Sequence, residues 1–164
     1  SGSNSGSVSA NIATIAQRVV RVMERTPEGK RVAWTVDVPT GLMGRIDPQD
    51  LTEALGNLAE NAARHAASTV SVTARSEDSS VVLAVIDDGA GIPATRTQEA
   101  LRRGGRLDSS GCAGLGLAIV RDIADAWDGV LSLEAPEQGC RVVLRLPHAQ
   151  FPFVPSAASK LDPR

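Results

Sequence analysis

Apolar positions along the chain recur with two different periods. Between residues 9 and 25, Ile12, Ile15, Ala16, Val19, Val22 and Met23 are spaced as on one face of a helix, which "PEGK" ends. "RVAWTVDV" then alternates as a strand and stops at "PTG". Asp47 followed by Pro48 is a helix start, a capping carboxylate before a proline at the first helical position, and predicts a helix from Pro48 to Ala67. "TVSVTAR" and "VVLAVID" are strand-like runs joined by the polar "SEDSS", a hairpin signal. From Asp88 to Ala113 the periodicity fades and Gly, Arg and Ser accumulate, which predicts a long mobile loop with one helical turn near "TQEALRR". A third helix follows from Gly114 to Asp128, packing through Ile119, Ile123, Ala126 and Trp127 and terminated by Gly129. "VLSLEA", "PEQG" and "CRVVLRL" complete a second hairpin.

This order predicts an α+β two-layer sandwich, a mixed five-stranded sheet covered by three helices on one face. The 164 residues suit one domain. Residues 1–8 read as a linker, 9–147 as the domain, and 148–164 as an extended, disordered tail. Aromatic residues are 2% of the chain, so Val, Leu, Ile and Ala must build the core. A net charge of −2 without a dense basic block argues against nucleic acid or an anionic membrane surface as partner. Cys112 and Cys140 lack metal-ligand spacing and read as free thiols. No run is long and apolar enough for a membrane span, and no signal-peptide pattern opens the chain.

Within the second helix, "LGNLAENAARHA" sorts into three faces. Leu51, Leu55, Leu58, Ala62 and Ala66 point to the core, and Thr52, Gly56, Ala59 and Ala63 form a strip of small residues suited to close packing. Glu53, Asn57, Glu60, Asn61, Arg64 and His65 share the remaining arc. Asparagine is a poor helix former, so two carboxamides one turn apart need a reason beyond solvation. Amide oxygens suit a hard cation such as Mg²⁺, and Arg64 could meet phosphate oxygens.

Two glycine-rich segments add to this. "VVLAVIDDGAGIP" sets Asp87 at the end of a buried strand with Gly89 and Gly91 after it, where a carboxylate can accept a hydrogen bond from an exocyclic amine. "GCAGLGLAIV" places Gly111, Gly114 and Gly116 at a helix entry, where backbone N–H groups favour anions. This second segment matches neither a Walker loop nor the dinucleotide fingerprint.

Together, in this order and spacing, the three segments resemble the ATP-binding catalytic domain of bacterial sensor histidine kinases. That domain belongs to a superfamily shared with gyrase, the large heat-shock chaperones and the mismatch-repair ATPases. The resemblance covers about residues 10–147. It implies ATP and Mg²⁺ as cofactors, with Asn61 and Asn57 at the metal and Arg64 and His65 near the phosphates. Asp87 would accept the adenine amino group, with Gly89, Gly91 and Ile92 around the base. Gly114, Leu115, Gly116 and Leu117 would form and anchor a lid on the phosphates, with Arg103 and Arg106 at basic lid positions. Asn57 stands where hydrolysing relatives carry a glutamate that activates water, which favours a kinase.

Two positions depart from the family pattern: Leu101 stands where an aromatic lid residue is usual, and Cys112 replaces a glycine. Neither His65 nor His148 has the context of a phosphoacceptor, so the resemblance implies transfer to a histidine on a separate dimerisation domain. It further implies a response regulator as partner and a cytoplasmic location within a membrane sensor. This piece would be monomeric and the full-length protein a homodimer. The alternatives are an anti-sigma-factor-type serine kinase and a degenerate, non-catalytic docking module.

Overall fold

The computed structural model describes residues 8–90, 115–134 and 139–149, with Leu115 and Gly116 described in backbone only. A two-residue strand β1 (Ala10–Asn11) leads into helix α1 (Ile12–Met23), whose first turn is capped where Asn11 Oδ1 accepts the Thr14 N–H at 3.1 Å. "PEGK" does more than end that helix. It forms a one-turn helix of its own, α2 (Pro27–Lys30), because Thr26 Oγ1 accepts the Gly29 N–H at 2.9 Å and proline occupies its first turn. Strands β2 (Ala33–Asp37) and β3 (Met43–Gly44) precede the long helix α3 (Pro48–His65). Then come β4 (Thr69–Glu77), β5 (Ser80–Asp87), helix α4 (Leu115–Ala126), β6 (Val130–Glu134) and β7 (Cys140–Pro147).

The main sheet has the order β2-β4-β5-β7-β6, parallel between β2 and β4 and antiparallel elsewhere. It is therefore the mixed five-stranded sheet that the pattern predicts. Alternation along the strands sends Val70, Val72, Val81, Leu83, Val85, Val142, Leu144 and Leu146 to one face, where α1, α3 and α4 cover them in a single core. Val82, Ala84 and Val143 form a small buried patch on the opposite face. Asp47 caps α3 as expected, its Oδ2 accepting the Gln49 N–H at 3.0 Å.

Several details differ from the sequence pattern. β1 pairs with β3 in a separate two-stranded sheet, too short for any periodicity to reveal. The core face of α4 is Leu117, Val120 and Ala124, whereas Ile119 is 37% exposed and Ala126 is exposed. Ile123 and Trp127 do pack on the core from partly buried positions. At the end of α4 the left-handed residue is Asp128 (φ 60°) rather than Gly129, whose N–H returns to the Ala124 carbonyl at 2.7 Å. The small-residue strip of α3 is split. Ala59 and Ala63 are buried, but Thr52 and Gly56 border an apolar groove with Arg18, Val19, Val22 and Met23. The tail boundary also moves. His148 is buried and bridges Gly44, its N–H donating to the Ser79 carbonyl at 2.8 Å, and the Ala149 N–H reaches the Met43 carbonyl at 3.0 Å.

Candidate functional site

The site is built around the C-terminal ends of α3 and β5, which the fold brings side by side. Asn61 lies on the inner side of α3 and is 8% exposed, although the surrounding arc is polar. A carboxamide brought that far inside needs hydrogen-bonding or ligating partners. Asn57, one turn earlier, is half-buried and its Nδ2 donates to the carbonyl of Glu53 at 2.8 Å, a bond back onto its own helix. Arg64 is exposed and pairs with Glu60 at 3.3 Å. Burial holds the His65 imidazole below its ordinary pKa, with the Arg64 charge acting in the same direction.

Asp87 ends β5 on the core-facing side and is 5% exposed. Its Oδ1 accepts the Gly89 N–H at 2.8 Å, and the carboxylate also accepts the Cys140 N–H from the neighbouring strand β7. Burial raises its pKa above the usual aspartate value. The two N–H donors act against that rise, and the neighbouring Asp88 charge adds to it. Held in this way, Asp87 is a buried acceptor at the end of β5, fitted to a group that brings a donor with it.

Two glycines make the turn possible by sterics alone. A Cβ on Gly89 would collide with the carbonyl oxygen of His65, so the turn after Asp87 lies directly against the end of α3. Gly139, in the left-handed region at φ 90°, lies so close to the Asp87 carbonyl that a Cβ there would collide with it. Gly139 and Cys140 are the residues that sequence reasoning missed. "PEQGC" reads as a plain turn, and only the pairing of Asp87 with Cys140 in the β5–β7 ladder shows that it supports the aspartate.

Of the residues singled out from the sequence, α3 carries Asn57, Asn61, Arg64 and His65, and the β5 turn carries Asp87 and Gly89. The contact between Gly89 and His65 joins the two groups. Leu115 and Gly116 open α4, and the Leu117 side chain is 1% exposed within the core, where it fastens that helix to the sheet. Gly91, Ile92, Arg103, Arg106 and Gly114 lie outside the described residues, as do Leu101, Gly111 and Cys112. Among the described residues no group of three His, Cys, Asp or Glu is placed to hold a metal. A cation here would therefore depend on amide oxygens, water and oxygens brought by a ligand, the mode that suits Mg²⁺ on phosphates.

The chain is similar to known proteins in both sequence and fold. Residues 46–150 match the sequence profile of the histidine kinase-, DNA gyrase B-, and HSP90-like ATPase family. The sensor protein kinase CarS of Pseudomonas aeruginosa is 46% identical over 119 residues, 71% of this chain and 26% of that protein. The chain spans about a quarter of the length of the curated relatives it matches. The ATP-binding domain of PrrB from Mycobacterium tuberculosis is 31% identical, with a TM-score of 0.70 over 86% of this chain and 96% of that one. The catalytic domain of the histidine kinase ThkA shares the fold at a TM-score of 0.75, covering 86% of this chain and 97% of that one at 21% identity. A profile match across α3, the β5 turn and both hairpins thus makes the chain a member of the histidine kinase-, DNA gyrase B- and HSP90-like ATPase family, as an ATP-binding domain of the sensor histidine kinase type.

Proposed function

We propose that this domain binds ATP with Mg²⁺ and presents the γ-phosphate for transfer to a histidine on a separate dimerisation domain of the same sensor kinase. The observation that carries the reading is the buried Asp87 carboxylate, held by the N–H groups of Gly89 and Cys140 where the β5 turn meets the end of α3. An ionised acceptor in that position takes the exocyclic amine of adenine in a charge-assisted hydrogen bond of about 1.5–3 kcal/mol. Guanine offers a carbonyl at the same place, so ATP is preferred over GTP.

Asn61, with Asn57 beside it, would hold the metal, which when bound neutralises charge on the phosphates. Arg64 reaches phosphate oxygens by exchanging its exposed pairing with Glu60, a bond in water that costs little to break. The residue one turn before Asn61 is an amide whose Nδ2 is occupied by the Glu53 carbonyl. It cannot act as a general base toward water, which favours phosphoryl transfer over hydrolysis. Catalysis in this reading is positioning and electrostatics. Gly91, Ile92, Arg103, Arg106, Gly114, Leu115 and Gly116 are assigned to the base and lid sides of the same site. The acceptor is a dimeric partner domain, the phosphoryl group passes to a response regulator, and the domain works on the cytoplasmic side of a membrane sensor.

The test is titration calorimetry of ADP and ATP with Mg²⁺. Asp87→Ala and Asn61→Ala each abolish measurable binding while circular dichroism stays native. Unchanged affinity in both variants would refute the assignment.

A further inference from the structure

Asp88, the neighbour of the base-reading residue, accepts four hydrogen bonds, all of them from residues 67–69. Its Oδ1 accepts the N–H groups of Ala67 at 2.9 Å, Ser68 at 2.8 Å and Thr69 at 3.0 Å. Its Oδ2 accepts the Ser68 hydroxyl at 2.7 Å. The three amides are consecutive and run from the connector after α3 into Thr69, the first residue of β4. Four donors on one carboxylate hold its pKa far below the usual aspartate range, the backbone N–H of Ser68 contributing most.

This clasp explains where α3 stops. Helical periodicity runs on to Ala67, yet Ala66 already has extended backbone (φ −67°, ψ 146°) as C-cap. The Ala67 N–H, which would continue the helix, points instead to Asp88. The connector is further fixed where the Ala33 N–H donates to the Ser68 carbonyl at 2.8 Å, and the end of α3 is held from outside by Arg31, whose Nη2 donates to the Ala63 carbonyl at 2.8 Å. Of these ties, only Asp88 joins the end of α3 to the turn that carries Asp87.

We propose that Asp88 is a positioning residue for nucleotide binding: by clasping residues 67–69 it fixes the distance between the phosphate-side residues of α3 and the base-side turn of β5. This rests on the nucleotide reading above. A ligand that touches both ends gains from their being held at the right separation before it arrives, whereas a ligand that touches one end does not. The asymmetry separates positioning from plain stabilisation.

The experiment compares adenosine, which engages the base side alone, with ADP and Mg²⁺, which engage both, by NMR chemical-shift titration of wild type, Asp88→Ala, Asp88→Asn and Ser68→Ala. In Asp88→Ala the ratio of the two affinities falls about tenfold or more, given that misplacements of about 1 Å cost up to about a hundredfold. Adenosine affinity itself stays within about twofold. Asp88→Asn restores the ratio, because its Oδ1 can accept all three N–H groups and its Nδ2 can donate to the Ser68 hydroxyl. Ser68→Ala, which removes one bond of the four, moves the ratio in the same direction by less and reads the effect even where Asp88→Ala folds poorly. An unchanged ratio, equal loss of both ligands, or an asparagine variant that behaves like the alanine one would overturn the proposal. A wild-type domain that binds adenosine but gains nothing from the diphosphate and metal would overturn the nucleotide reading first, and this one with it.

Discussion

Gly89→Ala tests the contact on which the site is assembled. A Cβ at this position would overlap the His65 carbonyl oxygen, lie 2.9 Å from the carbonyl carbon and stand 3.1 Å from Asp87 Oδ1. Ordinary contacts begin at 3.4 Å, so the carbonyl carbon alone requires a shift of about half an ångström, and the oxygen requires more. Both obstacles are rigid: backbone at the end of a helix on one side, and a buried carboxylate on the other. Overpacking of this kind costs about 1–3 kcal/mol, less the roughly 0.5–1 kcal/mol that alanine gains over glycine in the unfolded chain. A net loss of about 0.5–2 kcal/mol is expected in urea unfolding followed by circular dichroism, at unchanged slope. Gly56→Ala supplies the control. Gly56 lies inside α3 and an added Cβ meets nothing within 4 Å, so the same substitution there stabilises by about 0.5–1 kcal/mol. The Gly89 variant should also lose nucleotide affinity, because the shift falls on Asp87, while the Gly56 variant keeps it. If Gly89→Ala were as stable as Gly56→Ala and bound ADP normally, the turn would not lie against α3 and the site would have no common floor.

Two further outcomes follow from the same geometry. Asp87 has a raised pKa in the folded state, so the folded protein holds the proton where the unfolded chain has released it, and ionisation of Asp87 costs stability as pH rises through that window. Asp87→Asn should match wild type below the ordinary aspartate value of 3.8, gain on it as pH rises through the raised value, and then run parallel in urea unfolding across a pH series; a gap that closes with rising pH would contradict the burial. Asp128→Gly, at the left-handed position after α4, should raise stability by about 0.5 kcal/mol and the melting temperature by about 1–2 °C, and a lower melting temperature would show that the aspartate is doing more than closing the helix.

What the sequence shows and hides follows from the range of each interaction. The start of α3 is legible because Asp47 and Pro48 act within one turn of it, and both hairpins are legible because strand alternation is local. The end of α3 is not, since it is set by Asp88, a residue about twenty positions further on that leaves no mark near Ala66. The face of α4 is misread for a different reason. "LGLAIV" is apolar all round, so a face centred on Ile119 and a face centred on Leu117, Val120 and Ala124 fit a helical period equally well, and packing chooses the second, with Ile123 and Trp127 kept at its partly buried edge. Asn57 and Asn61 illustrate the limit of residue-type arguments. Both stand out as unusual helix residues, but which is drawn inside and which bonds its own backbone depends on neighbours that spacing does not specify. Gly139 is invisible for the same reason as the end of α3, because its need for a missing side chain arises only across the ladder.

The pair Asp87–Asp88 condenses the site into two adjacent carboxylates with opposite electrostatics. Asp87, the last residue of its strand, is buried on the core side with two N–H donors, and its ionised form is costly. Asp88, the first residue beyond the strand, meets four donors, and its ionised form is favoured. Each carboxylate has few states open to it. Asp88 stays charged at any ordinary pH, so it serves as a fixed clasp, whereas Asp87 is left short of partners and is the one that a ligand's amine can satisfy. The two are also coupled, since the permanent charge on Asp88 pushes up the pKa of Asp87. Neutralising Asp88 as asparagine, with its hydrogen bonds kept, must therefore lower the Asp87 pKa. The acid side of nucleotide binding then moves to lower pH with affinity above it kept, whereas affinity lost across the whole pH range is the outcome expected if the Asp88 charge were itself part of base recognition.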